Sequence, residues 1–122
     1  MAPGLTLDTG ALIGLEGRRH RMRKVFDTAV HDGVTMTVPT AVLLEWWRSG
    51  PGAKQREQIL RCMRVESLDE PLAKLAAVAM AGVTGATPVD AIVMASAARR
   101  GDVVYTSDFG DLDRLRRIVL AA

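Results

Sequence analysis

Four acidic side chains in this sequence could bind a divalent metal ion together: Asp8, Glu45, Asp90 and Asp108. Carboxylates brought close together repel one another and raise each other's pKa unless a cation lies among them. The set contains no cysteine or histidine, so we expect a hard ion, Mg²⁺ or Mn²⁺, rather than Zn²⁺. Such an ion lowers the pKa of a bound water and neutralises phosphate charge, so the expected chemistry is phosphodiester hydrolysis.

The elements that must position these carboxylates alternate between strands and helices. Short apolar or β-branched runs predict strands at 5–7, 34–38, 64–68, 103–106 and 118–120. Helical spacing of apolar residues predicts helices at 9–15, 21–31, 40–48, 53–62, 70–81, 87–98 and 109–117. This alternation is typical of an α/β fold with a mostly parallel sheet that helices cover on both faces.

The acids fall where such a fold binds its ligands, beyond the carboxyl ends of the strands. Asp8 directly follows the first predicted strand, and Asp108 follows the strand VVYT. Glu45 lies in the helix after the second strand, and Asp90 lies near the start of a later helix. We therefore expect the four carboxylates to gather at one edge of the sheet.

A simpler interpretation exists for each aspartate, because Asp8 and Asp108 could cap helices and Thr87 with Asp90 resembles a capping box. Glu45 fits this interpretation least well. The other residues of its predicted helix are largely apolar: Val42, Leu43, Leu44, Trp46 and Trp47. A buried carboxylate is costly unless it is paired or binds a metal, so this helix favours a functional Glu45.

Length and composition indicate one soluble globular domain over 1–122, because 48% of the residues are hydrophobic and 25% are charged. No apolar stretch is long enough to cross a membrane. Cys62 is the single cysteine, and the first residues show no secretory signal pattern. We therefore expect a cytoplasmic protein without a membrane partner.

Basic residues are clustered although the formal net charge is only +2. The densest cluster holds Arg18, Arg19 and Arg21, which we single out as candidate RNA-binding residues. Arg99 and Arg100 form a second cluster, and 114–117 holds a third. Solvated helix faces would give the same pattern, so both interpretations stay open at this point.

Four segments resemble the PIN-domain family, specifically its VapC-type toxins. They are LDTGALIGL at 7–15, TVPTAVLLEWWR at 37–48, PVDAIVMASAARRG at 88–101 and VVYTSDFGDLDRL at 103–115. They span nearly the whole chain in the family's order. Each segment alone indicates the family weakly, and the four together indicate it specifically. One departure is Gly10, where many relatives carry serine or asparagine.

The resemblance implies a three-layer α/β/α sandwich in which Asp8, Glu45, Asp90 and Asp108 are metal-binding catalytic residues. It further implies Asp111 as an acid beside a second metal. Thr9 and Thr106 match hydroxyl positions that support the metal ligands through hydrogen bonds. Membership would make the chain an endoribonuclease toxin of a type II toxin–antitoxin pair, a homodimer inhibited by a VapB-type antitoxin.

Other functions fit parts of the sequence. His20 and His31 could act as an acid–base pair in RNA cleavage without metal, or lie on a helix surface. A phospho-receiver domain has a similar size, but Asp8 is followed by Thr9 instead of a second acid. A non-catalytic RNA-binding module of the same fold is the remaining alternative, which an intact set of four acids disfavours.

Overall fold

The computed structural model describes residues 3–106. Asp108, Asp111, the predicted helix 109–117 and the predicted strand 118–120 lie outside the described residues. The described strands are β1 (Leu5–Leu7), β2 (Met36–Pro39), β3 (Arg64–Glu66) and β4 (Val103–Tyr105). The described helices are α1 (Thr9–Glu16), α2 (His20–Asp32), α3 (Thr40–Trp46), α4 (Ala53–Arg61), α5 (Glu70–Ala81) and α6 (Pro88–Arg100).

The described strands form one parallel sheet in the order β3-β2-β1-β4. Chain order runs outward from β1 through β2 to β3, and β4 then returns to the other side of β1. Because parallel crossovers are right-handed, this reversal puts α1–α4 on one face of the sheet and α5–α6 on the other. The predicted α/β fold, an α/β/α sandwich with a parallel sheet, is confirmed.

The reversal also places a crevice between the carboxyl ends of β1 and β4, where open α/β sheets bind ligands. Leu7 and Tyr105, the last residues of β1 and β4, are paired in the register. Asp8 and Thr106 therefore leave the sheet side by side. The sheet order alone puts the first predicted acid at the preferred binding position.

Helix α6 forms the centre of the core on its face of the sheet. Its residues from Ala91 to Ala97 are all buried, and it packs on β1, β2 and β4. Thr87 begins the helix by accepting a hydrogen bond from the backbone N–H of Asp90 at 3.1 Å. Gly101, at φ 74°, ends it, and the helix therefore runs two residues beyond the predicted end at 98.

Three other boundaries differ from the prediction by two residues, including the end of β3, which lies at Glu66 rather than 68. Strand β2 begins at Met36 rather than 34, since Gly33 and Val34 first complete the end of α2 through hydrogen bonds to Ala29 and Val30. Helix α3 ends at Trp46 rather than 48, because Trp47 is already extended. Within residues 3–106, no helix has the length and apolar character needed to cross a membrane.

Candidate active site

Asp8 is held rigidly at the start of α1. Its Oδ1 accepts a hydrogen bond from the backbone N–H of Ala11 at 2.8 Å, so it is the N-cap of the helix. Its Oδ2 accepts a hydrogen bond from the Thr106 hydroxyl, which follows the adjacent strand β4. The capping interpretation and the site interpretation are therefore compatible, because the cap fixes the carboxylate beside the end of β4.

Thr106 is buried, and its hydroxyl joins β4 to the carboxylate after β1. This hydrogen bond is the contact through which Thr106 would support Asp8. Asp108 follows Thr106 by two residues in the sequence. Its position lies outside the described residues.

Glu45 lies near the end of α3 and faces the first turn of α1. Thr9 donates a hydrogen bond from its hydroxyl to Glu45 Oε1 at 2.6 Å. This contact connects Glu45 to the residue next to Asp8, so two of the four predicted acids belong to one cluster. Thr9 thus contacts a predicted ligand, as the resemblance implies for this position.

The expectation that Glu45 is buried in an apolar helix is wrong. Glu45 is exposed, and Leu44 beside it has 83% of its surface exposed. Only Val42 and Trp46 of this helix are buried. The apolar composition of α3 predicted too much burial. The helix is short and buries only a narrow stripe against α1 and α6, so some of its hydrophobic residues lie in solvent.

Asp90 lies in the first turn of α6 and is half-buried. The capping-box prediction is confirmed for the Thr87 side chain, which accepts from the Asp90 N–H. A first-turn carboxylate is also favoured by the helix dipole. Helix α6, which carries Asp90, packs on β1, the strand that Asp8 follows.

Oxygen atoms make up the donor set of this cluster, which suits Mg²⁺ or Mn²⁺. The described members are the carboxylates of Asp8 and Glu45 and the hydroxyls of Thr9 and Thr106. Among residues 3–106, no three acidic, histidine or cysteine side chains converge closely enough to hold a metal. Asp8, Glu45 and Asp90 therefore do not form a metal-holding group by themselves within this part of the chain, and Asp108 lies outside it.

A buried polar network, which the sequence did not reveal, links α6 to the sheet. Glu66, at the end of β3, accepts hydrogen bonds from the Ser96 hydroxyl at 2.6 Å and from Arg100. Arg100 also donates to Thr6 Oγ1 at 2.7 Å and to Asp102 Oδ2 at 3.0 Å. Burial raises the pKa of Glu66, but these hydrogen bonds and the arginine charges outweigh it, so the pKa is lowered.

Arg99 and Arg100 form ion pairs with carboxylates, so they are not a free basic cluster. Arg99 binds the exposed carboxylate of Asp69 at 3.1 Å and the buried Glu66 at 3.3 Å, and Arg100 also binds Glu66, so both arginines are paired with carboxylates of the protein. Arg18, Arg19 and Arg21 are exposed at the start of α2. Within residues 3–106, this group, unlike Arg99 and Arg100, is exposed without a carboxylate ion pair, so it stays a candidate phosphate-contacting surface.

A second charged cluster joins the end of α1 to the loop after α3. Glu16 binds Arg56 at 2.6 Å and Arg48 at 3.1 Å. Burial raises the pKa of Glu16, but the two arginines lower it more, and the net shift is downward. The partners are 32 and 40 residues apart in the sequence, so no local spacing indicated them.

The two histidines of the metal-free alternative lie far apart, and the two tryptophans differ in burial. His20 and His31 occupy opposite ends of α2, roughly 16 Å apart along its axis, so they cannot act on one phosphate. Trp46 is a core residue at 1% exposure. Trp47 lies edge-on to it and is partly exposed, with 6.2 Å between the ring centroids.

Comparison with protein-family models gives no match, and a search of the curated proteins finds no similar sequence.

Proposed function

We propose that this chain is a divalent-metal-dependent endoribonuclease with Asp8, Glu45, Asp90 and Asp108 as its catalytic carboxylates. The observation that carries the proposal is the position of Asp8. It lies at the crevice between β1 and β4, bonded to Thr106 on one side and followed by Thr9, which binds Glu45. Two oxygen-rich segments distant in sequence thus meet where parallel sheets bind ligands.

The side chains have distinct tasks in the proposed reaction. The Ala11 N–H and the Thr106 hydroxyl hold the two oxygens of Asp8, so its carboxylate is pre-oriented. Thr9, in the first turn of α1, holds Glu45 through its hydroxyl. Mg²⁺ or Mn²⁺, when bound by these acids, supplies an activated water and neutralises the charge that develops on the phosphate.

RNA as the substrate rests on the family resemblance together with the exposed arginines of α2. Arg18, Arg19 and Arg21 are free of carboxylate partners among the contacts in residues 3–106. Their charge would attract the RNA backbone and compensate for the acids of the site. The resemblance supports a toxin of a type II toxin–antitoxin pair that forms a homodimer and is inhibited by a VapB-type antitoxin.

The proposed activity is tested with purified protein and labelled cellular RNA in Mg²⁺, in Mn²⁺ and in EDTA. We expect cleavage with either metal, none in EDTA, and 5′-phosphate ends on the fragments. Cleavage that survives EDTA would contradict a metal-dependent mechanism. RNA binding with no cleavage in either metal would support the non-catalytic RNA-binding module.

A further inference from the structure

We propose that Arg56 is a positioning residue for the carboxylate site, acting through Glu16 and helix α1. Within residues 3–106 its hydrogen bonds go to Glu16, Arg48 and Pro51, and its role would be to fix the spacing between Asp8 and Glu45. This inference rests on the proposed function, since it concerns the geometry of the same site.

Arg56 is fully buried, at 0% exposure, in the angle between α1, α4 and the loop after α3. Its Nη1 donates to Glu16 Oε2 at 2.6 Å and to the Pro51 carbonyl at 3.2 Å. Its Nε donates to the Arg48 carbonyl at 3.1 Å, and Nη2 donates to the same oxygen. The guanidinium therefore fastens the last residue of α1 to the backbone that leaves α3.

The loop is shaped around this guanidinium. Gly52 has φ 85°, a conformation that side chains rarely adopt. A Cβ at Gly52 would lie 2.9 Å from Arg56 Nη1 and 3.3 Å from Glu16 Oε2. The backbone approaches the ion pair as closely as a glycine allows, so the loop and the ion pair form one unit.

Stability alone is a weak reason for a buried arginine. Removing a cation from water is costly, and a well-packed apolar residue of similar size often gives equal or greater stability. An arginine fork differs from an apolar side chain because its hydrogen bonds fix direction as well as distance. What Arg56 adds at this position is a defined orientation of α1 relative to the end of α3.

This orientation reaches the site because α1 is attached to the α3 region at both of its ends. Thr9 binds Glu45 at the first end, and Glu16 binds Arg56 and Arg48 at the other, roughly 10 Å along the helix. Asp8 caps the same helix. Releasing the Glu16 end removes one of these two attachments, so we expect the distance from Asp8 to Glu45 to vary more.

The test compares three variants of the full chain. Arg56→Lys keeps the charge and loses the fork, and Glu16→Gln keeps an acceptor and loses the charge. Lys74→Met removes an exposed ion pair on α5 and serves as the control. We expect the Mg²⁺ concentration for half-maximal RNA cleavage to rise about 10-fold in the first two variants and to stay unchanged in the control.

A second readout does not depend on cleavage. Spin labels at the exposed positions Ile13 on α1 and Leu44 on α3, in a Cys62→Ser background, report the spacing of the two helices. We expect a narrow distance distribution in the parent protein and a broader one after Glu16→Gln or Arg56→Lys. If Arg56→Lys does not fold, Glu16→Gln alone decides the test.

The outcomes separate this inference from the proposed function. Unchanged distance distributions would overturn the role of Arg56, and so would broader distributions with an unchanged Mg²⁺ requirement. A parent protein that cleaves no RNA would overturn the proposed function. In that case the spin-label distances still decide whether Arg56 fixes α1 against α3.

Discussion

The Thr9 hydroxyl donates a hydrogen bond to Glu45 Oε1 at 2.6 Å, joining the first turn of α1 to the last turn of α3. Glu45 is exposed, so this contact gives its carboxylate a preferred direction that solvent alone would not. Thr9→Val keeps the shape of the side chain and removes the donor. We expect RNA cleavage to fall about 10-fold and the Mg²⁺ requirement to rise.

Thr9→Ser is the matched control, since it retains the hydroxyl. It should cleave RNA within about twofold of the parent protein, because a retained hydrogen bond preserves the support of the ligand. Equal rates for the valine and serine variants would show that the hydroxyl does not support the site.

The exposed arginines of α2 should contribute to RNA affinity through the phosphate backbone. Replacing Arg19 or Arg21 with Gln removes one charge each. We expect weaker binding and a salt slope smaller by roughly 0.7 to 1 per residue, measured as log affinity against log salt. Lys74→Gln, on the exposed face of α5, is the control, and it should leave the slope unchanged. An unchanged slope in the arginine variants would assign them to ordinary surface.

Much of the fold followed from the sequence because its signals are local. Strand β1, helix α5 and the start of α6 were predicted from apolar spacing, from Pro71 at the first turn and from the Thr87 cap. Boundaries shifted by two residues where a local backbone conformation ended an element, as at Trp47 after α3 and Gly101 after α6. The parallel sheet followed from the alternation of elements.

The contacts of the candidate site were harder to predict from the sequence than the fold. Asp8 was selected because a residue directly after a strand has a defined place in an α/β fold, and the structure puts it beside the end of β4. Glu45 was selected for a wrong reason, its assumed burial, although it does contact Thr9. Glu16, Arg56 and Glu66 were missed since their partners lie 30 to 40 residues away, a separation that only the folded chain brings together.

Glu66 should make the protein sensitive to acid. Its pKa is lowered in the folded state, so its contribution to stability is complete above the ordinary value of about 4.3 and is lost as the pH falls through the lowered pKa. Glu66→Gln should reduce the free energy of unfolding at pH 7 by on the order of 3 kcal/mol, because Arg99 and Arg100 each lose one carboxylate partner.

Urea unfolding of both proteins at pH 7 and at pH 3 measures this effect. The parent protein should lose more stability than Glu66→Gln over this interval. Glu57→Gln, an exposed change on α4, controls for general charge effects. If the free energy of unfolding falls equally in the parent protein and in Glu66→Gln between pH 7 and pH 3, Glu66 is not the source of the acid sensitivity.

Cleavage by Asp8→Asn tests the central claim most directly. Asparagine also caps helices well, so the bond to Ala11 and the fold should survive while the charge is lost. Asp69→Asn, the same change at the exposed N-cap of α5, is the matched control. Both proteins are incubated with labelled RNA in Mg²⁺ and in Mn²⁺, and single-turnover rates are compared with the parent protein. We predict that Asp8→Asn is folded and inactive while Asp69→Asn cleaves normally, and an Asp8→Asn protein that cleaves RNA at the parent rate would contradict the proposed active site.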